Sequence, residues 1–183
     1  MSAPFPGDGA KARRLEAMIR VDHAGEFGAV QIYKGQRAVF AHARGKDDVA
    51  ALVAGMEAGE QAHLETFDRL VAERGVRPTL MAPLWRIAGF GLGAATALMG
   101  EKAAHACTAA VEEVIEQHYA RQADELAGEE PAFRAMIERF RNDEIAHKET
   151  ALSEGAEDAF GYRALSAAIK FGCRAAIAIS ERV

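Results

Sequence analysis

Apolar residues recur along this chain at helical spacing, and no stretch alternates in and out for long enough to predict a strand. The first helical pattern runs from Ala12 to about Ala43, with Leu15, Ile19, Ala29, Ile32, Val39 and Phe40 on its apolar side. Gly25, Gly28 and Gly35 interrupt it. Each costs about 1 kcal/mol relative to Ala inside a helix, so glycines at this spacing predict close helix approach. Arg44-Gly45-Lys46 reads as a turn, and Asp47 or Asp48 as the N-cap of a second helix that stops at Gly75 and Pro78. A fourth helix is predicted over 101–126, a break at Gly128 to Pro131, a fifth helix over 132–152 and a sixth over 162–179. Residues 1–10, with Pro4, Pro6, Gly7 and Gly9, read as a loose arm.

The third segment, 81–100, differs in kind, because MAPLWRIAGFGLGAATALMG carries one charge, Arg86. Its length is close to the roughly 20 residues of a bilayer span. Pro83, its glycines and Arg86 weaken a crossing, and a buried core helix also fits. Trp85 beside Arg86 suits a headgroup boundary, which favours a helix lying in the membrane interface.

Composition narrows the class. Ala occupies 40 positions, against 24 for Val, Ile and Thr together, a balance that favours helices over sheets. With 50% apolar and 27% charged residues, the 183-residue chain can build one core. The net charge of −5 excludes a basic stripe for nucleic acid. Cys107 and Cys173 form no metal-binding pair and read as small core residues. No basic segment followed by an apolar run opens the chain, so an intracellular protein is expected.

The candidate chemistry lies in two Glu-x-x-His words, Glu60 with His63 and Glu144 with His147. Three residues of helix turn about 300°, which puts both side chains of each word on one face. If the first two helices form an antiparallel hairpin about Ala43 and Arg44, Glu60 mirrors onto Glu26. If the fourth and fifth do so about Gly128, Glu144 mirrors onto Glu112 or Glu113. Helix phase alone does not choose between those two, and Glu57 is a weaker rival to Glu60. Two halves thus repeat one plan: a lone Glu, a turn, then Glu-x-x-His. That is the ligand set of a dinuclear carboxylate site in a ferritin-like four-helix bundle. Four carboxylates and two imidazoles suit iron or manganese, and four inward carboxylates make sense only around cations.

The expected fold is therefore all-α: a ferritin-like four-helix bundle with additional apolar helices, one of them membrane-interfacial. Residues 1–11 form a flexible arm and residues 12–183 a single di-iron domain. Asp22 and Asp143 are candidates to orient ligand imidazoles, and His23 is a partner of Glu26 or a surface residue. His118, Tyr119 and Arg174 are candidates for an access channel, proton or electron transfer, or substrate holding, and His42 reads as a hairpin-tip residue.

The words RVDHAGEFGAVQIYKGQ (20–36), EQAH (60–63), PLWRIAGFGLGAATALMG (83–100), ACTAAVEEVIEQHY (106–119), DEIAH (143–147) and GCRAAIAISERV (172–183) resemble the demethoxyubiquinone hydroxylases of ubiquinone biosynthesis. The resemblance covers residues 13–183 in order and departs only in hairpin lengths. It implies a di-iron monooxygenase that uses dioxygen to hydroxylate the ring of a demethoxylated polyprenyl quinol before a final O-methylation. It implies Glu26, Glu60 and His63 on one iron, Glu112, Glu144 and His147 on the other, and Glu60 and Glu144 as bridges. It favours Glu112 over Glu113 and gives Tyr119 and Arg174 parts in substrate binding or electron delivery. A peripheral membrane location is implied, on the cytoplasmic face of a bacterial inner membrane or the matrix face of a mitochondrial one. A lipid-binding accessory protein stays open. The alternatives are a ferritin-like iron-binding or ferroxidase protein, a rubrerythrin-like peroxidase without its four-cysteine rubredoxin site, and a metal-free structural bundle.

Overall fold

The computed structural model describes residues 8–183. Among them are six α-helices, one short 3-10 turn and no strand. The helices are α1 (Asp8–Phe40), α2 (Asp47–Arg74), α3 (Ala82–Leu98), α4 (Glu101–Glu125), α5 (Pro131–Ser153) and α6 (Tyr162–Ser180). The 3-10 turn, Ala156–Asp158, precedes α6. The helix order matches the apolar pattern. α1 starts earlier than expected, so residues 8–11 belong to the helix, and the remainder of the expected arm, residues 1–7, lies outside the described residues.

Local chemistry sets the ends. Asp47 and Asp48 occupy the first turn of α2, where their charge suits the positive end of the helix dipole. Neither caps it, however: Lys46 holds the N-cap position, without a side-chain bond. Gly75 ends α2 in the left-handed conformation, φ 63°, which an L side chain would strain. Pro131 opens α5, where its missing N–H costs nothing.

α1 with α2 and α4 with α5 form two hairpins, and these hairpins build the bundle. Two apolar clusters fill it at different levels. Met18, Ile19, Phe67, Ile137 and Phe140 pack with Tyr119 at one level. Phe40, Val53, Met56 and Ala104 pack with Tyr33 at the other. Full burial of each large side chain contributes about 1.5–3 kcal/mol. The polar centre lies between these clusters.

α3 lies against α1 with backbone nearly touching backbone. A Cβ on Gly93 would stand 1.9 Å from the Ile32 carbonyl oxygen, and one on Gly35 would stand 2.2 Å from that of Phe90. Gly35 thus meets the expectation of close approach. Gly28 meets it through its backbone, since a Cβ on Gly89 of α3 would stand 2.9 Å from the Gly28 carbonyl oxygen, whereas a Cβ on Gly28 itself, or on Gly25, meets nothing within 4 Å, and both residues line a cavity. No helix among the described residues is long and apolar enough to cross a membrane. α3 nevertheless exposes Leu84, Ile87 and Phe90, and α6 exposes Phe171 and Ile179.

Candidate metal centre

Each hairpin brings its expected pair to one level. Glu26, Glu60, Glu112 and Glu144 are 1% exposed or less. Ligand atoms of Glu26, Glu60, His63 and Glu144 all lie within 4.8 Å of one another, and so do those of Glu60, Glu112, Glu144 and His147. Glu60 and Glu144 belong to both groups. His63 Nδ1 stands 3.5 Å from Glu26 Oε2 and 3.3 Å from Glu144 Oε1. His147 Nδ1 stands 2.9 Å from Glu60 Oε1 and 3.7 Å from Glu144 Oε2.

The alternatives resolve by surroundings. Glu113 faces outward to Lys170 at 2.7 Å, leaving Glu112 in the centre. Glu57 pairs with Arg37 at 2.6 Å on the outside, leaving Glu60. Asp143 takes its expected part, with Oδ2 3.1 Å from His63 Nε2, so His63 turns Nδ1 toward the carboxylates. His63 also stacks on Phe140, with ring centroids 3.9 Å apart. Gly59 leaves room for the His147 ring, which a Cβ there would approach to 3.3 Å.

Asp22 corrects the sequence reading. It faces no ligand imidazole; its Oδ1 meets His118 Nε2 at 3.2 Å and Gln122 Nε2 at 2.8 Å. His23 bonds Asp68 at 2.9 Å, away from Glu26. His42 is exposed at the hairpin tip. Cys107 is buried, while Cys173 lines the cavity described below. Tyr119 donates its hydroxyl hydrogen to Glu26. Arg174 is exposed on α6, 3.5 Å from Gln117, and is not brought to the centre. Tyr33 is the residue the sequence reading missed: it donates to Glu112 Oε1 at 2.6 Å. A signal existed, since Tyr33 follows Glu26 and Tyr119 follows Glu112 by the same two helical turns.

The electrostatics are those of a cation site. Burial raises the carboxyls of Glu60 and Glu112 well above their ordinary range, and the neighbouring Glu144 charge adds to the rise. Burial also raises Glu26, against the attraction of the facing His63 ring. Glu144 is lowered, because the His147 and His63 rings beside it outweigh its burial. Burial would lower both imidazoles, but the facing carboxylates of Glu144 and Glu26 carry His63 up to about 10, and those of Glu144 and Glu60 do the same for His147.

A metal fits this set on its bare atoms. Glu26 Oε2, Glu112 Oε2, both oxygens of Glu60 and Glu144, and Nδ1 of each histidine are buried without a hydrogen-bond partner. An unmet buried polar atom costs about 1–3 kcal/mol, more when charged, so such a concentration calls for cations.

A cavity of about 510 Å³, bounded by α1, α3, α4 and α6, comes as close to the centre as Tyr119, the partner of Glu26, and none of the six ligand residues lines it. Its wall is almost wholly hydrocarbon, with Asp22, Trp85, His118, Tyr119 and Ser180 as the residues that bring polar side-chain atoms. α3 and α6 barely meet, which leaves a mouth between them. One bond spans it, from Trp85 Nε1 to Ser180 Oγ at 3.0 Å.

A family profile described as "Ubiquinone biosynthesis protein COQ7" matches residues 13–180. The chain is 48% identical over 179 residues to a 3-demethoxyubiquinol 3-hydroxylase of Rhodospirillum rubrum, covering 98% of this chain and 83% of that one. It is 44% identical over 179 residues to the mouse mitochondrial NADPH-dependent 3-demethoxyubiquinone 3-hydroxylase, covering 96% and 81%. It is 38% identical over 189 residues to a Saccharomyces cerevisiae mitochondrial 5-demethoxyubiquinone hydroxylase, covering 95% and 80%. With the profile spanning nearly the whole chain and these relatives matching over 95–98% of it, this protein belongs to the COQ7 family of ubiquinone biosynthesis.

Proposed function

We propose that this ubiquinone-biosynthesis hydroxylase is a ferritin-like di-iron monooxygenase that hydroxylates the ring of demethoxyubiquinol with dioxygen. The observation that carries the reading is the set of bare ligand atoms, turned inward from four helices and meeting only one another. Oxygen and nitrogen donors suit iron or manganese. If the bound metal is to activate dioxygen for ring hydroxylation it must be redox-active, which zinc is not. Glu26, Glu60 and His63 would hold one iron, and Glu112, Glu144 and His147 the other, with Glu60 and Glu144 shared. Bound there, the iron pair supplies stored electrons and open positions at which dioxygen is activated.

The chain's own residues do the rest. Tyr33 and Tyr119 each donate a hydrogen bond that fixes one carboxylate, on Glu112 and Glu26. Asp143 holds the His63 ring in one tautomer. Phe67, Ile137 and Phe140 keep water from one side. The cavity receives the ring, and Tyr119 marks where it borders the ligands. Tyr119 is thus the candidate catalytic side chain. Arg174, exposed on α6, is assigned to the outer surface, where a reductant would arrive.

The isoprenoid tail would leave through the mouth between α3 and α6. Exposed Leu84, Ile87 and Phe90 on α3 and Phe171 on α6 support a peripheral seat in the membrane interface. In a bacterium that seat is the cytoplasmic face of the inner membrane, and in a mitochondrion the matrix face.

Metal analysis with a ring-hydroxylation assay tests the reading. The purified protein is expected to hold about two irons per chain and to convert a short-tailed demethoxyquinol. Glu144→Ala should lose both iron and activity while keeping its helical circular dichroism. Full activity in that variant would remove Glu144 from the centre, and an active iron-free protein would end the di-iron reading.

A further inference from the structure

The two Glu-x-x-His words differ in the residue that precedes them. Asp143 stands before Glu144 on α5, and Gly59 stands before Glu60 on α2. The repeat of the two hairpins sets each of these residues against the histidine of the other word. Asp143 Oδ2 lies 3.1 Å from His63 Nε2. Gly59 takes the matching place beside His147, where a Cβ would stand 3.3 Å from both Cε1 and Nε2 of that ring. One imidazole thus has a carboxylate behind it, and the other has a residue with no side chain.

The surroundings widen this difference. α2 and α5 barely meet, and a cleft of about 470 Å³ opens between them, with Gly59, His63, Asp143 and His147 in its wall. His63 shows 7% of its side chain to solvent and stacks on Phe140. His147 shows 17%, and its Nε2 has no hydrogen-bond partner among the described residues. Water of the cleft is the acceptor left to that outer nitrogen, while Nδ1 faces inward to Glu60 at 2.9 Å. A metal-bound imidazole ordinarily donates its free N–H to an acceptor that fixes the ring and raises its basicity, and losing such a partner costs about 10- to 100-fold in metal affinity. The carboxylates do not offset the difference. Each histidine shares Glu60 or Glu144 with the other group, and each group has one further glutamate braced by a tyrosine, Glu26 by Tyr119 and Glu112 by Tyr33.

We propose that the two metal positions are unequal: the one with His63 fills first and holds its ion, and the one with His147, open to the cleft between α2 and α5, fills second and is the first to give its ion up. The inference rests on the dinuclear reading above and ranks its two halves. Asp143 is the positioning residue behind the order. It accepts from Nε2 of His63, which leaves Nδ1 of that ring unprotonated and already turned to the carboxylates. His147 has no such hold, so its ring must be oriented at the moment of binding, and its outer edge stays in contact with solvent.

Zn(II) tests the order without turnover, because it takes the same carboxylate and imidazole donors. The full metal-free chain, carrying isotope-labelled histidine, is titrated with Zn(II) while the ring-nitrogen NMR signals of His63 and His147 are followed. The first ion per chain is expected to shift Nδ1 of His63 and to leave His147 as it was. The second should shift His147, with an affinity roughly 10- to 100-fold weaker. Asp143 is half exposed, so Asp143→Ala should fold, and in it the two rings should shift nearly together. Parallel shifts in the wild type, or His147 first, would overturn the order whether or not the variant folds, and would leave the dinuclear site standing. An order unchanged in Asp143→Ala would overturn it too. A titration that shifts neither ring would take the metal away from these histidines, and the dinuclear reading would go with the order.

Discussion

Tyr33 and Tyr119 make the same bond in opposite directions: Tyr33 of α1 donates to Glu112 of α4, and Tyr119 of α4 donates to Glu26 of α1. The two helices run antiparallel, so each tyrosine, two turns beyond a glutamate of its own helix, reaches the glutamate of the other. The pair braces both carboxylates that the two metal groups do not share. Tyr33→Phe is expected to leave the fold intact and to bare a further oxygen of Glu112. The cost should be about 1–3 kcal/mol of stability in the metal-free protein and weaker metal retention, read by thermal melts and by metal content after dialysis against a chelator. Unchanged values for both would show that the brace is idle.

Metal and pH act on the same groups. Glu26, Glu60 and Glu112 have folded pKa values above their ordinary 4.5. His63 and His147 are raised from 6.5 to about 10. A raised group contributes stability that is complete below its unfolded pKa and is lost as pH rises through the folded value. The metal-free protein should therefore lose stability as pH rises from 4.5 for the carboxyls, and from 6.5 toward about 10 for the imidazoles. Glu144 is lowered and works the other way, below 4.5. Bound metal requires the ligands deprotonated. The rise in Tm on metal loading should thus be larger near pH 8 than near pH 6, by calorimetry on matched samples. A constant rise across that range would contradict the linkage.

Gly28 faces the cavity, and a Cβ there meets nothing. The Cβ of Gly28→Leu meets no neighbour and the rest of the side chain has the cavity to enter, so the variant should raise Tm, since Gly in a helix costs about 1 kcal/mol. The same side chain would occupy the space in which the substrate is proposed to sit. KM for the quinol is expected to rise roughly tenfold, equivalent to about 1.4 kcal/mol, while metal content stays unchanged. A stabilised variant with wild-type KM would mean that substrate passes elsewhere.

Ile87 on α3 is 71% exposed and Phe171 on α6 is 76% exposed. Burying each in lipid would contribute about 1.5–3 kcal/mol. Ile87→Glu with Phe171→Glu should abolish co-flotation with phospholipid vesicles while leaving activity on a tailless quinol unchanged. Flotation that persists would move the membrane contact to another face.

What the sequence makes legible follows from which forces are local. Helix spans are local, and Gly75 and Pro131 mark ends that the structure keeps. The four glutamates and two histidines are legible because an antiparallel hairpin is a ruler, and mirrored positions on equal arms must meet. The choice of Glu112 over Glu113 is not local: it depends on Lys170 of α6 drawing Glu113 outward. Tyr33 hides because an aromatic at helical spacing reads as core, which it also is. The partnership of Asp22 with His118 joins residues on α1 and α4, two helices from different hairpins, so no turn fixes their register. The open wall at Gly25 has the same origin. In sequence Gly25 looks like Gly28 and Gly35, and only the placement of α3, which meets those two, tells contact from cavity.

The glycine seam between α1 and α3 has a mechanical consequence. Where Ile32 meets Gly93, and Phe90 meets Gly35, no layer of side chains lies between the two backbones to absorb a shift. A helix resting on lipid ordinarily tilts and bobs with the headgroups around it. On the proposed membrane seat, such motion would be handed straight to α1, and with it to Glu26. The two helices would then move as one plate, so that immersion depth and the location of the proposed iron centre would be set together.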